Sequence, residues 1–453
     1  MSNFGFQTIT FRPSSSVENI KLDEISKTMG AITVSSSLLF NGHLDTLRFQ
    51  NSLQVVADVC PWLYGALCVE ENGDVNVAPR CEGDGGNSDE TTHPGYFTCQ
   101  IVNDSESNYH PDQIEEILPT DVHELMLRPD LAMQSLHGLP ISAFRVTQYS
   151  TQFAISYRLN HVFYDQASIV YLLLYLSDVY SHGNVATLAA PIFHPRAKLV
   201  PDEAQFKTIE EFDNAAPEGY VVAPPTGIVC TAPIVFNLTF HVESVSSWRH
   251  GASSPVSTND LLHAIFIKAV SELAGNDAVN TTPLRVLYAR NMRIPLSFGE
   301  HIVGDYVRLG VLHGTKDVAT STDLFGLAQS NREVLLQPLG NKYTSECNWF
   351  INITKFYPGQ RPNSDFLSDK QAAVVTNWSS FPYERIRFDD SEACELLIAP
   401  PKFSTNLALF AFVGFKGCGS DRRLTVLICS IFPELKTIIE KIGLDCGLFS
   451  VSA

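Results

Sequence analysis

His161 and Asp165 are the residues of this sequence whose types and spacing are best suited to chemistry. The imidazole of a histidine gains and loses a proton near neutral pH, so it can remove a proton from a hydroxyl or an amine. A carboxylate four residues later can orient such a base or hold the local fold through a charge-assisted hydrogen bond. The alternative is a buried histidine at the end of a strand with no chemical role.

The spacing of a histidine and an aspartate four residues apart does not identify a site, because it occurs three times in this chain. The two other pairs are His301/Asp305 and His313/Asp317. Both lie in irregular segments that contain glycine, so the surroundings of each pair must decide among them.

The residues around His161 predict a strand followed by a helix. Apolar residues alternate through Gln152–Asn160, which is typical of a half-buried strand. The apolar run Ser168–Ser177 contains no Gly or Pro and has the length of a short buried helix. His161 is therefore expected at a strand end that leads directly into a packed helix.

The composition indicates a folded protein that does not bind nucleic acid or anionic membranes in a general way. The 453 residues are 45% hydrophobic and carry a formal net charge of −18. Phosphate-rich partners are bound by clustered Lys and Arg, which such a charge disfavours. No apolar run reaches the roughly 20 residues of a membrane span, and Met1–Thr10 has no features of a signal peptide. We therefore expect a soluble cytoplasmic protein.

The cysteines predict neither a metal site nor a disulfide framework. The sequence has 10 Cys, scattered without close pairs or dense spacing. We expect no bound metal.

The length predicts two domains, because one hydrophobic core rarely serves more than about 250–300 residues. The segment 184–225 is rich in Pro, Ala and charge and has weak periodicity, so it is the predicted crossover linker, running over the surface. The domains are then 1–183, which carries the His161 pair, and 226–453.

Other elements are predicted from apolar patterns and from capping or turn residues. Before the linker they are a strand at Ala31–Phe40, a helix within Asp45–Leu67 that ends near the turn Cys60–Gly65, and a loop at Glu82–Pro94. After the linker they are strands at Ala232–Val242, Arg285–Arg290 and Leu424–Ile431, and helices at Leu261–Ala274, capped within Ser257–Asp260, and at Pro433–Lys441.

Several stretches in this order resemble one family, the coenzyme A-dependent acyltransferases of plant and fungal secondary metabolism known as BAHD enzymes. The chain resembles in particular the fungal branch of this family, which includes trichothecene acetyltransferase. The stretches are Leu22-Asp23, Pro61–Gly65, His161–Asp165, Ser257–Leu262, Tyr288–Arg290, His301–Asp305 and Thr376–Trp378.

The resemblance implies an α/β fold of two similar chloramphenicol-acetyltransferase-like domains. Each would be a mixed sheet flanked by helices, with the active-site channel between them. It implies that His161 is the catalytic base and that Asp165 faces away from the channel and pairs with Arg290, with Arg293 as the alternative partner. It also implies that the indole of Trp378 donates to the oxyanion of the tetrahedral intermediate; the alternative is a Trp of the core or rim.

The sequence departs from the family pattern at several positions. Arg387–Ser391 keeps only the Phe of the family's Asp-Phe-Gly-Trp-Gly stretch. Gln166 follows Asp165 where the family has Gly, and Tyr288 stands where Asp is common. The bulky Phe163 and Tyr164 either narrow the acceptor pocket or pack in the core.

The expected activity is transfer of an acyl group, most simply acetyl, from acyl-coenzyme A to a hydroxyl or amine of a secondary metabolite. Acyl-coenzyme A is then a co-substrate, and no permanently bound cofactor is expected. The residues that hold coenzyme A are unknown from the sequence, and a monomer is expected. The basic candidates for its phosphates are Lys402, Lys416, Arg422 and Arg423.

Two alternatives remain open at this point. The same scaffold could serve as a coenzyme A-independent cyclase or isomerase, such as a pericyclase, because a fold does not determine a reaction. The altered Arg387–Ser391 stretch motivates this hypothesis. The chain could also be a binding protein without catalytic activity.

Overall fold

The structure is a computed structural model that describes part of the chain. The described residues are 6–11, 20–21, 33–69, 75–78, 97–104, 141–200, 206–223, 233–240, 256–274, 283–337, 339, 342–364, 371–398 and 407–452. Three features of the sequence analysis, Leu22-Asp23, the loop Glu82–Pro94 and Lys402, lie outside these residues.

Strands make up much of the described chain. They are β1 Phe6–Phe11, β2 Ile20–Lys21, β3 Thr33–Asn41, β4 Ala66–Val69, β5 Val75–Ala78, β6 Phe97–Asp104, β7 Ser142–Tyr149, β8 Gln152–Asn160, β9 Ile192–Phe193, β10 Tyr220–Ala223, β11 Ile234–Phe240, β12 Pro283–Asn291, β13 Ile302–Val303, β14 Val307–Thr315, β15 Arg361–Ser364, β16 Ala372–Asn377, β17 Arg387–Phe388, β18 Ser391–Ile398, β19 Leu409–Lys416, β20 Arg423–Ser430 and β21 Phe449–Ser452.

The helices of the described residues are distributed along the same order. They are α1 Thr46–Val59, α2 Gln166–Ser181, α3 Ile209–Asn214, α4 Thr258–Leu273, α5 Lys316–Ser321, α6 Leu324–Leu336, α7 Lys342–Phe356 and α8 Glu434–Cys446. The predicted strands and helices within the described residues are confirmed, with shifted ends. Helix α1, for example, ends at Val59 because Pro61 disfavours the helical conformation of the residue before it.

One mixed sheet of 14 strands runs through both halves of the chain. Its main order is β1-β6-β7-β8-β3-β18-β19-β16-β12-β14, and β20 pairs with β19 and β11. Strand β18 joins the halves, since it pairs with β3 over Ala393–Ile398 and with β19 at Glu395. A strand from the C-terminal half therefore completes the N-terminal part of the sheet.

The first hydrophobic core lies between the N-terminal part of the sheet and helices α1 and α2. Alternate residues of β8, Phe153, Ile155, Tyr157 and Leu159, face it, as the sequence pattern predicts. Phe388 enters the same core, with its ring centroid 5.5 Å from that of Phe40. The first core is thus built from residues that are more than 200 positions apart.

The predicted linker 184–225 does not simply run over the surface. Strand β9 pairs with β13, and β10 pairs with β15. Arg196 is only 5% exposed and Phe212 is fully buried. The backbone and side chains of the segment 184–225 therefore take part in packing. Its strands and helices are short, which explains why its apolar periodicity is weak.

The second core is organised around helix α4. A capping box between Ser257 and Asp260 begins this helix, within the segment Ser257–Asp260 in which the sequence predicts the cap. One face of α4 packs against strands β12 and β16, and α6 and α8 pack against the same helix. The family-atypical Tyr288 lies in this core, where its ring occupies the space that a side chain at Gly310 would need.

His263 is an unusual member of the second core. It is completely buried on α4, with its ring centroid 5.6 Å from that of Tyr288. Among the described residues, neither ring nitrogen has a hydrogen-bond partner. Burial lowers the pKa of His263 to about 3, so the folded protein holds this imidazole neutral.

The protein should lose stability as the pH falls from about 6.5 toward 3, with His263 contributing one proton to that loss. In the unfolded chain a histidine has a pKa of about 6.5, so in this range the unfolded state binds a proton that the folded state excludes. His263 alone then shifts the folding equilibrium roughly tenfold per pH unit. His263→Leu should make the pH dependence of urea unfolding shallower by that amount.

The exposed His43 offers a matched control. His43→Leu should leave the slope of stability against pH near the wild-type slope. Equal slopes for His263→Leu and the wild type would show that His263 is protonated in the folded state.

Candidate active site

The turn that carries His161 is built by Asn160. The side-chain oxygen of Asn160 accepts a hydrogen bond of 3.0 Å from the Val162 amide, and its carbonyl accepts from the Phe163 and Tyr164 amides. These bonds end strand β8 and reverse the chain before helix α2. Phe163 and Tyr164 are fully buried, and the Phe163 ring lies 4.5 Å from that of Phe193. Core packing therefore accounts for both bulky residues.

Asp165 has a structural role at the start of helix α2. One carboxylate oxygen accepts from the Ser168 amide at 2.8 Å and caps the helix. The other accepts from Nη1 of Arg293 at 2.7 Å and from the Tyr306 amide at 2.9 Å. With Asp165 1% exposed and Arg293 4% exposed, this is a buried, fully hydrogen-bonded ion pair.

The predicted partner Arg290 is wrong, and the alternative Arg293 is the residue that pairs with Asp165. Arg290 lies on β12, where Val286 and Tyr288 face the second core. Strand alternation sends its side chain in the same direction, and its Nη1 lies 3.4 Å from the carbonyl oxygen of Leu335 on α6. Arg293 lies beyond the end of β12 and is released from this alternation.

The guanidinium of Arg293 also holds the segment that precedes Asp305. Its Nε donates to the Ile302 carbonyl at 2.8 Å and its Nη2 to the Gly304 carbonyl at 2.9 Å. Ser168 of helix α2 bonds to both the amide and the carbonyl of Gly304. Gly304 has φ of +154°, and a Cβ there would lie 2.9 Å from the His194 carbonyl oxygen. Only glycine fits at this crossing of segments.

Asp305, the acid of the second histidine–aspartate pair, faces His161. Its Oδ2 lies 3.7 Å from Nδ1 of His161 and 3.2 Å from Nη2 of Arg196. Burial by itself raises the pKa of this carboxyl, but the positive charges of Arg196 and His161 outweigh it and lower the pKa to about 2. Asp305 is therefore an ionised carboxylate beside the imidazole.

The imidazole of His161 is a stronger base than an ordinary histidine. Burial by itself lowers its pKa, whereas the negative charge of Asp305 raises it, and the net result is a raised pKa. The side chain is 17% exposed. Because Nδ1 faces Asp305, Nε2 is the nitrogen that can act on a bound molecule.

Trp378 is the first residue after strand β16, in the C-terminal part of the sheet. Its amide donates to the Val413 carbonyl at 2.9 Å, and its indole packs edge-on against Phe412 with ring centroids 5.6 Å apart. The neighbouring Asn377 donates to Asn259 at the start of α4. The structure thus brings together two of the stretches that resemble the family, Ser257–Leu262 and Thr376–Trp378.

The remaining predicted site residues lie elsewhere. His313 pairs with Glu218 at the surface. Lys416 pairs with Glu395, and Arg422 pairs with Glu384 and lies over the Phe415 ring. Lys416 and Arg423 are direct cross-strand neighbours. Sequence reasoning missed Arg196, which lies in the predicted linker, and assigned Asp305 to the wrong histidine.

The other departures from the family pattern have local structural explanations. Gln166 donates from Nε2 to the hydroxyls of Tyr157 and Tyr383. In the altered Arg387–Ser391 stretch, Phe388 packs in the first core. The carboxylate of Asp389 accepts from Tyr180 at 2.7 Å.

Substitution of Arg293 and of Arg290 in turn tests which arginine pairs with Asp165. Arg293→Met should destabilise the protein by about 3–5 kcal/mol, because it leaves the Asp165 carboxylate buried without its counter-ion. Arg290→Met removes one long hydrogen bond and should cost about 1 kcal/mol or less. Urea unfolding at pH 7 measures both, and similar losses for the two variants would contradict the assignment.

The described residues contain no helix that is both long and apolar enough to cross a membrane.

Comparison of the sequence with protein-family models and with curated proteins found no match. Solved structures do match over nearly the whole chain. TRI101 of F. sporotrichioides, crystallised with coenzyme A and T-2, has a TM-score of 0.68 at 14% identity, covering 96% of this chain and 100% of that one. Vinorine synthase has a TM-score of 0.66 at 15% identity, covering 98% of both chains.

A third structure extends the comparison to bacteria. Polyketide synthase associated protein 5 from Mycobacterium tuberculosis has a TM-score of 0.57 at 14% identity, covering 95% of this chain and 98% of that one. At these identities the likeness establishes the fold alone. The predicted fold class is confirmed: the chain has the mixed α/β, two-domain fold of TRI101 and vinorine synthase.

Proposed function

We propose that this protein transfers an acyl group, most simply acetyl, from acyl-coenzyme A to a hydroxyl or amine of a small molecule. The observation that carries the proposal is the His161 imidazole, whose Nδ1 lies 3.7 Å from the ionised, buried carboxylate of Asp305. The fold supports it, because TRI101, which shares that fold, was crystallised with coenzyme A. Acyl-coenzyme A is then a co-substrate.

His161 is the general base of the proposed reaction. Its Nε2 takes the proton of the acceptor's hydroxyl as the oxygen attacks the thioester carbonyl. The tetrahedral intermediate collapses, the carbon–sulfur bond breaks, and the coenzyme A thiolate receives the proton from His161. The reaction needs no covalent acyl-enzyme and no metal. Trp378 is the proposed donor to the oxyanion, and a fixed donor of this kind contributes about 3–4 kcal/mol.

Asp305 and Arg196 tune the base. At 3.7 Å the carboxylate of Asp305 is beyond hydrogen-bond distance from Nδ1 of His161, so it acts through its charge: it favours the proton of neutral His161 on Nδ1 and stabilises the imidazolium that forms during attack. Arg196, 3.2 Å from the same carboxylate, limits this effect by neutralising part of its charge. Asp165 does not touch the imidazole in this scheme and acts by holding the turn.

The finer features of the proposal follow from the resemblance to the family. They are an active-site channel between domains 1–183 and 226–453, a secondary metabolite of fungal type as acceptor, and a cytoplasmic monomer. Lys416, Arg422 and Arg423 are the described candidates for the coenzyme A phosphates. In the altered Arg387–Ser391 stretch Phe388 packs in the first core, a structural role that does not favour the cyclase or isomerase alternative.

His161→Ala separates binding from chemistry. Calorimetric titration should show that the variant binds acetyl-coenzyme A and coenzyme A as tightly as the wild type, because the imidazole acts on the acceptor. Release of coenzyme A thiol in the presence of a panel of alcohols should fall by about 10²–10⁴-fold. His301→Ala, which changes the histidine of the His301/Asp305 pair, should retain the wild-type rate. Failure of the wild type to bind either nucleotide would overturn the proposal.

The pH dependence of kcat/KM tests the pairing with Asp305. The rate should rise with pH through the raised pKa of His161, since the base must be neutral. Asp305→Asn removes the negative charge that raises this pKa, so the rising limb should move to lower pH and kcat should fall.

Arg196→Gln should move the limb in the opposite direction. Without the neutralising guanidinium, Asp305 raises the pKa of His161 further. Shifts of opposite sign in the two variants cannot come from simple loss of folded protein, and circular dichroism checks the fold of each. Limbs that stay in place in both variants would show that Asp305 does not act on His161.

A further inference from the structure

The face of the sheet that lies away from α1 and α2 carries polar side chains on β8, the strand that precedes His161. On β8, Tyr157 and Leu159 face the first core. Because side chains alternate along a strand, Ser156 and Arg158 face the other side of the sheet. Arg158 is paired directly with Ser35 of β3 and with Ala143 of β7.

Arg158 is a buried cation. It is 9% exposed, and burial is what lowers its pKa from the usual value. Within the described part of the chain, no carboxylate forms an ion pair with it. A buried charge of this kind is costly unless something compensates it.

Two further donors without partners lie next to Arg158. Arg145 of β7 pairs with Ser156, which places it diagonally across from Arg158 on the same face, about 7–8 Å away. Nε of Arg145 and the hydroxyl of Ser35 are both buried and have no hydrogen-bond partner among the described residues. These three side chains therefore share one face of the sheet at neighbouring register positions, and no described residue supplies an acceptor for Nε of Arg145 or for the Ser35 hydroxyl.

The nearby carboxylate on this face does not supply the missing charge. Glu395 of β18 pairs with Leu39, which lies two residues after Ser37 on β3. Its Oε1 lies 3.3 Å from Nζ of Lys416, which already neutralises it. Two neighbouring guanidinium groups repel each other, so an anion between them would remove both the repulsion and the unfilled donors.

We propose that Arg158, Arg145 and Ser35 form a binding subsite for an anionic oxygen group, a carboxylate or a phosphate. Arg158 precedes His161 by three residues, about 10 Å along the strand. This assignment rests on the proposed function: the subsite binds a carboxylate of the acyl acceptor, and His161 acts on a hydroxyl of the same acceptor. The acceptor class is then a hydroxy acid. The candidate cations for coenzyme A, by contrast, lie on β19 and β20 or at the loop between them.

The subsite makes a prediction about stability that a structural arginine would not share. In the absence of ligand Arg158 contributes an unfavourable buried charge, so Arg158→Met should unfold at the same temperature as the wild type or at a higher one. A structural arginine replaced by Met would lower that temperature by several degrees.

The direct test uses malonate and inorganic phosphate as probes at constant ionic strength. Both should raise the thermal unfolding midpoint of the wild type, and Arg158→Met should weaken the apparent affinity at least tenfold. Arg385→Met, which removes an exposed arginine paired with Glu300, is the matched control and should respond like the wild type. A probe-induced shift that is unchanged in Arg158→Met would overturn the subsite.

Two further arms identify the source of the anion. Arg158→Met should leave calorimetric affinity for coenzyme A unchanged, and a tenfold loss would assign the subsite to the coenzyme phosphates and overturn the acceptor assignment. The wild type should acetylate hydroxy acids faster than their methyl esters, and Arg158→Met should lose that preference. If the protein transfers no acetyl group at all, the malonate titration still decides whether the subsite exists.

Discussion

The buried ion pair of Asp165 and Arg293 is the interaction on which the rest of the site depends. It joins the start of α2 to a segment more than 120 residues later, with each partner at most 4% exposed. Because Arg293 also binds the Ile302 and Gly304 carbonyls and Asp165 binds the Tyr306 amide, the backbone on both sides of Asp305 is held. The position of Asp305 beside His161 is a consequence of these bonds.

Two aspartates of similar sequence context have different physical roles here. The carboxylate of Asp165 accepts three hydrogen bonds, from the Ser168 amide, the Tyr306 amide and the Arg293 guanidinium, and these fix it at the start of α2. Asp305 has fewer hydrogen bonds and shares its charge between Arg196 and His161. The opposed effects of burial and charge set the basicity of His161, and small changes around Asp305 can tune it without moving the histidine.

The two halves of the chain are joined by a shared sheet and a shared core as well as by the ion pair of Asp165 and Arg293. Strand β18 completes the N-terminal part of the sheet, and Phe388 enters the first core between Phe40 and Tyr180. The departures from the family pattern at Arg387–Ser391 are accommodated there, because the apolar ring is retained and Asp389 gains Tyr180 and Arg48 as partners. Both β18 and Phe388 belong to the second predicted domain, 226–453, and pack with residues of the first.

The sequence by itself determined the local elements around His161. Strand β8 and helix α2 follow from alternation and from an uninterrupted apolar run, since these patterns depend on neighbouring residues alone. The capping box at Ser257 and the end of α1 before Pro61 are likewise local. Only the tertiary structure decided which residues meet His161. Arg293 rather than Arg290 pairs with Asp165 because Arg290 lies on β12, which directs its side chain toward the second core, whereas Arg293 lies beyond the end of that strand. Asp305 reaches the imidazole, and Arg196 reaches Asp305, through the segments that are joined by pairing of β9 with β13. Such contacts join residues that are distant in the chain, and no local pattern encodes them.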